Sequence, residues 1–203
     1  MPSEPSRTLM PTPEAEVIFS RWLKQLNEEF TRHQGYERRC DIVRDELFQL
    51  FLDKPHGGRI NATLQSELPM NVVETTLDPR NVTLEAEYIE GIDRDRYMDR
   101  KPLIFMWQMF DRSPLGLNLW LGFKFRCMIG RHIFKQMGCR VKIHHAVHFH
   151  FAYNISIGDD VVIHRGATLD DRAELILPAG SSVTAFATVN AAGQNHAVVE
   201  HEY

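Results

Sequence analysis

The chain has 203 residues, 43% apolar and 25% charged, a globular balance that excludes full-length disorder. Its formal net charge of −4 argues against a nucleic-acid surface built on bulk positive charge, so no nucleic-acid partner is expected. Cys40, Cys127 and Cys139 are odd in number and widely spaced; this fits neither a disulfide framework nor a CxxC metal pattern and reads as reduced thiols in a cytoplasmic protein.

Residues 1–13 carry four prolines and no apolar run, which reads as a mobile tail and not a signal peptide. A helix is expected from Thr12-Pro13, with Thr12 as the cap, Pro13 at the first position, and Ile18, Trp22, Leu26 and Phe30 along one face. Gly35 reads as its stop. A second helix, about 37–53, turns Ile42, Val43, Leu47, Leu50 and Phe51 inward and ends at Pro55 and Gly57-Gly58. Val82, Leu84, Ala86 and Tyr88 alternate with polar residues and predict a short strand. Residues 94–112 and 115–137 read as two more helices, split by Ser113-Pro114 and closed by Gly138, with Trp107, Phe110, Leu119, Trp120 and Phe123 as a hydrophobic platform. The apolar stretch 102–130 is interrupted by Asp111, Arg112, Lys124 and Arg126, so no membrane span is expected. Residues 14–138 therefore form a mainly helical N-terminal region.

Residues 139–203 obey another period. Ile143, Phe149, Ile157, Ile163, Leu169, Leu177, Val183 and Val189 follow one another at steps of 6, 8, 6, 6, 8, 6 and 6, with small residues between them. A six-residue period with one aliphatic per step marks a solenoid of short parallel strands, three to a triangular coil, each aliphatic pointing to the axis. The eight-residue steps read as turns whose two extra residues bulge outward.

This segment resembles the hexapeptide-repeat O-acetyltransferases of the nodulation, maltose/galactoside and colanic-acid type. The resemblance rests on Ile155-Ser156-Ile157-Gly158-Asp159-Asp160-Val161-Val162-Ile163, on the alternation of six- and eight-residue steps, and on Ser113-Pro114 followed by a helix ending Phe134-Lys135-Gln136-Met137-Gly138. It covers roughly residues 113–196. It implies an α+β chain whose helical N-terminal region precedes a short left-handed parallel β-helix, and a homotrimer with active sites between subunits. It also implies acyl transfer from acyl-coenzyme A, as co-substrate, to a hydroxyl of a sugar or similar acceptor, with no metal. By the same resemblance Asp170 and Asp171 lie near the acceptor, and Asn195-His196 stands where the family has its catalytic motif. Members of that family continue for further coils that carry most of the coenzyme A groove. The sequence here ends at Tyr203, so it is expected to be a fragment, or to have coenzyme A binding that is weak, built otherwise or lost.

His196 is the residue type the chemistry needs. A hydroxyl is a poor nucleophile at neutral pH, and an imidazole with a pKa of about 6.5 suits removal of its proton during attack. Eight of the ten histidines fall between His132 and His201, which opens a second reading. His164 after Val162-Ile163, with His196 and His201 at H-x4-H spacing, resembles the zinc set of γ-class carbonic anhydrases, where three imidazoles and a water suit zinc. A third reading makes the solenoid a non-catalytic trimeric scaffold or binding module.

Overall fold

The computed structural model describes residues 10–58 and 68–195, with the backbone alone at 194 and 195. The mobile-tail expectation for residues 1–9 lies outside them. Helices occupy the first part: α1 (Pro13–Arg32), α2 (Tyr36–Leu52), α3 (Leu68–Thr76), α4 (Arg94–Met98), α5 (Lys101–Asp111) and α6 (Leu119–Ile133). Ten short strands follow: β1 (Gln136–Met137), β2 (Lys142–Ile143), β3 (His148–Phe149), β4 (Ile155–Ile157), β5 (Val162–Ile163), β6 (Thr168–Leu169), β7 (Leu175–Leu177), β8 (Ser182–Val183), β9 (Thr188–Asn190) and β10 (Gly193–Asn195). Among the described residues no helix is long and apolar enough to cross a membrane.

Local chemistry explains most helix boundaries and several departures from expectation. Thr12 caps α1, its Oγ1 accepting the Ala15 N–H at 3.3 Å. Gly35 does not stop α1; His33 is its C-cap, and Gly35 is the N-cap of α2. On α1 Leu26 and Phe30 are buried and Trp22 packs against the core as expected, Leu23 joins them, and Ile18 departs from expectation at 64% exposed. In α2 Phe48, not Leu50, is the buried partner of Leu47. The strand expected over 82–88 is absent. Leu84 and Ala86 do alternate inward, but residues 85–88 form a 3-10 turn whose start is held by Glu87 Oε1 accepting the Leu84 N–H at 2.8 Å. Glu87 also pairs at 2.9 Å with Lys101, itself almost fully buried. The expected helix 94–112 breaks between Met98 and Lys101, leaving the nearly all-buried α5 as the central helix. The expected helix 115–137 is a 3-10 turn (Pro114–Leu117) followed by α6, and Gln136-Met137 already belongs to the first strand. Leu119, placed in the hydrophobic platform, is 51% exposed.

The strands form three sheets ordered β1-β4-β7, β2-β5-β8 and β10-β9-β6-β3, parallel throughout except for β9–β10. Register runs Met137↔Ile157↔Leu177, Ile143↔Ile163↔Val183 and Phe149↔Leu169↔Val189. Each coil therefore spans 20 residues, and the aliphatic ladder read from the sequence is the prism's interior. Ile143, Ile163 and Leu169 are fully buried, each such burial contributing about 1.5–3 kcal/mol. Corners repeat with the coil: Arg140, Asp160 and Gly180 share positive φ, as do Ala146, Gly166 and Phe186. At Gly158 a Cβ would lie 2.5 Å from the Ala179 nitrogen of the next coil, so coil spacing leaves room only for hydrogen. Gly158→Ala is expected to lower stability by about 1–3 kcal/mol, read as a fall in melting temperature with unchanged helical circular dichroism.

The eight-residue steps depart from the expected outward bulge. In the first, Phe151, Ala152 and Tyr153 are buried. Tyr153 is the dock for α4: its Oη accepts the Asp93 N–H at 2.8 Å, its carbonyl accepts Arg96 Nη2 at 2.9 Å, and the Arg96 guanidinium lies 4.3 Å from its ring centre. In the second step Arg172, Ala173 and Glu174 do face solvent. Helices and prism are also joined by an aromatic trio, in which Phe149 meets Trp107 and Phe134 edge-on, both at 5.3 Å.

One half-buried titratable group couples the helical region to pH. His132 of α6 contacts Asn27 of α1, Nε2 to Oδ1 3.0 Å. Burial, reinforced by the nearby Arg39 and Arg131 charges, holds its pKa down at about 4. The unfolded chain binds this proton near pH 6.5 and the folded chain only near 4, so the contribution is complete above pH 6.5 and lost as pH falls toward 4. His132→Gln is expected to show a shallower loss of stability than the wild-type chain over that window, measured by urea unfolding at several pH values.

Candidate functional site

The outer face of the third sheet collects the polar residues. His148, Thr168 and Thr188 stand in register on β3, β6 and β9. Two residues further along the chain come His150, Asp170 and Asn190, again 20 residues apart. The Asp170 N–H donates to Val189 O at 2.8 Å, which fixes this corner against β9.

Asp170 is the partly exposed carboxylate of this column. Arg172 grips it in bidentate fashion, Nε to Oδ1 2.8 Å and Nη2 to Oδ2 2.7 Å. That contact, opposed by partial burial and aided by His150, holds the carboxyl below the usual carboxylate range. His150 Nε2 lies 3.9 Å from Asp170 Oδ1. Beside them Asp170, Arg172, Ala173, Asn190, Ala191 and Ala192 line an open depression. Asn190 Oδ1 accepts the Ala192 N–H at 2.9 Å and shapes the turn into β10. An ionised carboxylate with an imidazole beside it can accept hydrogen bonds from the hydroxyls of a polar ligand in this depression.

Asp171, paired with Asp170 in the sequence reading, does a different job. It is fully buried. Its Oδ1 accepts the N–H of His150 at 2.8 Å and of Phe151 at 3.1 Å, and its carbonyl accepts Asn154 Nδ2 at 2.9 Å. Burial pushes its carboxyl up, against the pull of these backbone donors. It ties the first coil's corner to the second, and its carboxylate, expected near an acceptor, is buried against these backbone donors.

The histidines divide between two corners. His144 and His164 stack at 5.2 Å with Phe123 edge-on to His144 at 4.9 Å, while His148 is on β3 of the third sheet and His150 directly follows that strand. His164 is thus a packing partner of His144 and not an isolated surface residue. Among the described residues no group of three His, Cys, Asp or Glu side chains is arranged to hold a metal ion. His196 and His201 lie outside the described residues, as does the side chain of Asn195, whose backbone pairs with Thr188. The sequence reading missed Arg172, His150 and Asn190 as neighbours of Asp170. The signal was present in the 20-residue coil, which places positions 150, 170 and 190 in one column.

No family model, curated protein or solved structure matches the chain.

Proposed function

We propose that this chain is an acyltransferase built on a left-handed parallel β-helix, working as a homotrimer. It moves an acetyl or other acyl group from coenzyme A to a hydroxyl of a sugar or similar acceptor. His196 is the general base, Asp170 anchors the acceptor through hydroxyl hydrogen bonds, and Asn195 flanks the base. The single observation that carries the reading is the Asp170 corner: a partly exposed carboxylate, kept ionised by Arg172, on a three-sheet prism, directly beside the strand pair that leads to His196. The attack needs a proton acceptor for the hydroxyl and a fixed point for the rest of the acceptor. These residue types supply both. Ile176 and Phe186, 63% and 49% exposed, leave apolar side chains on the prism's outside that suit contact with further copies.

The test is release of free coenzyme A thiol from acetyl-coenzyme A in the presence of a panel of sugars and polyols. Acceptor-dependent release supports the reading, and Asp170→Asn is expected to raise the acceptor KM more than it lowers kcat. Absence of release with every acceptor and acyl donor overturns it.

One observation favours a second reading, a non-catalytic binding module. β10 pairs with β9 in antiparallel sense, so the rung that a further parallel coil would use on this sheet is taken. On that reading His196→Ala changes neither activity nor ligand binding.

A further inference from the structure

The seam between α5 and the first coil holds two adjoining cavities, of about 120 and 200 Å³. Gln108, Arg112, His148 and Phe149 line both. Trp107 belongs to the wall of the first and Tyr97 to the wall of the second. These two side chains are 2% and 1% exposed, and the Trp107 Nε1 and Tyr97 Oη atoms have no hydrogen-bond partner. A buried donor left unsatisfied costs about 1–3 kcal/mol, so two in one seam call for an explanation. An indole N–H can only donate, and a neutral phenol readily does.

The rest of the wall leans the same way. Asp111 is already taken by Arg126 and by the Ala146 N–H. Arg112 is exposed at the mouth, and its contact is a long one, 3.5 Å to Gln108 Oε1. His148 and His150 add two imidazole rings to the lining, which the exposed Glu85 also joins. The seam therefore offers unsatisfied donors and a cation, while the acidic group deepest in it is committed.

We infer that this seam is a binding site for a small organic carboxylate, with Arg112 gripping the anion at the mouth and Trp107 Nε1 and Tyr97 Oη donating from the walls. A carboxylate presents two acceptor oxygens in one plane, the geometry that a guanidinium fork recognises. Gln108 is half-buried and common to both cavities. The volumes limit the ligand to a molecule smaller than drug size. The cavities share no lining residue with the Asp170 depression, although His150 in the lining of the second stands 3.9 Å from Asp170, and the inference does not depend on acyl transfer.

The probe is malonate, added to the full chain while the indole N–H resonances are followed by NMR, with Trp107→Phe identifying the relevant one. Malonate is expected to move the Trp107 resonance in a saturable way. Arg112→Ala, a change at an exposed residue, is expected to weaken binding at least roughly tenfold, the worth of a hydrogen bond to a charged group, with the melting temperature unchanged. Tyr97→Phe is expected to weaken binding severalfold without lowering the melting temperature, because it removes an unsatisfied group. The inference is overturned if malonate leaves the Trp107 resonance in place, if sodium chloride at equal ionic strength moves it equally, or if Arg112→Ala binds malonate as tightly as the wild-type chain. Any of those results assigns the two donors to trapped water or to packing alone.

Discussion

Arg126→Ala is expected to lower the free energy of unfolding by about 3–5 kcal/mol, the cost of removing one partner from a buried ion pair. Arg126 is completely buried. Its Nε and Nη2 donate to Asp111 Oδ1 at 2.8 and 2.6 Å, Nη2 also donates to Gly116 O at 2.8 Å, and Nη1 donates to Ile143 O at 3.3 Å. Asp111 completes the clamp by accepting the Ala146 N–H at 3.0 Å. Three pieces of chain are thus held by one guanidinium: the end of α5, the turn before α6 and the first coil. Gly122 makes this possible, because a Cβ there would lie 2.5 Å from Nη1. Alanine leaves the nearly buried Asp111 carboxylate with only the Ala146 N–H and takes this donor from two carbonyls. Against a total stability of about 5–15 kcal/mol typical of a domain, that loss places the variant near the edge of folding. Urea unfolding measures it, and a loss below about 1 kcal/mol, the scale of a surface pair, refutes the assignment. The double variant Arg126→Met with Asp111→Leu, which removes both charges, is expected to recover much of the loss.

On the acyl-transfer reading, His196→Ala is expected to reduce transfer by a factor of about 10²–10⁴, the usual worth of a positioned general base. The reduction should fall on kcat, since the imidazole acts on the proton that leaves during attack and not on ground-state binding. A general base must be deprotonated to act, so the wild-type rate should rise with pH and then level off, whereas the residual rate of the variant should lack that limb. Coenzyme A release measured from pH 5 to 9 checks both features. Equal rates for wild-type and variant chains at every pH would exclude His196 as the base.

The prism was legible because its signal is strict. One aliphatic every six or eight residues is incompatible with a helix, and the register of Ile157 with Leu177 and of Ile163 with Val183 follows from it directly. The 3-10 turn at 85–88 was not legible, because Leu84 and Ala86 do alternate in burial as a strand would. What decides the matter is Glu87 reaching back to the Leu84 N–H while its charge is held by Lys101, a tertiary contact that no local pattern announces. Site residues divide in the same way. Asp170, which the family resemblance put near an acceptor, lines an open depression, whereas its neighbour Asp171 turns inward because the first coil's corner leaves the His150 and Phe151 N–H groups in need of an acceptor. Adjacent, chemically identical residues are separated by the backbone's demands, and composition carries no trace of them.

The 20-residue coil also sets which length changes the chain can tolerate. Adding or deleting one whole coil shifts every column by one rung and keeps each side chain on its own sheet. An insertion of six residues moves everything downstream of it to the neighbouring sheet. It would carry the pair Asp170 and Arg172 away from His150 while leaving every aliphatic still pointing to the axis. Homologues that differ in length by a multiple of 20 are therefore the ones in which this corner can be compared residue for residue.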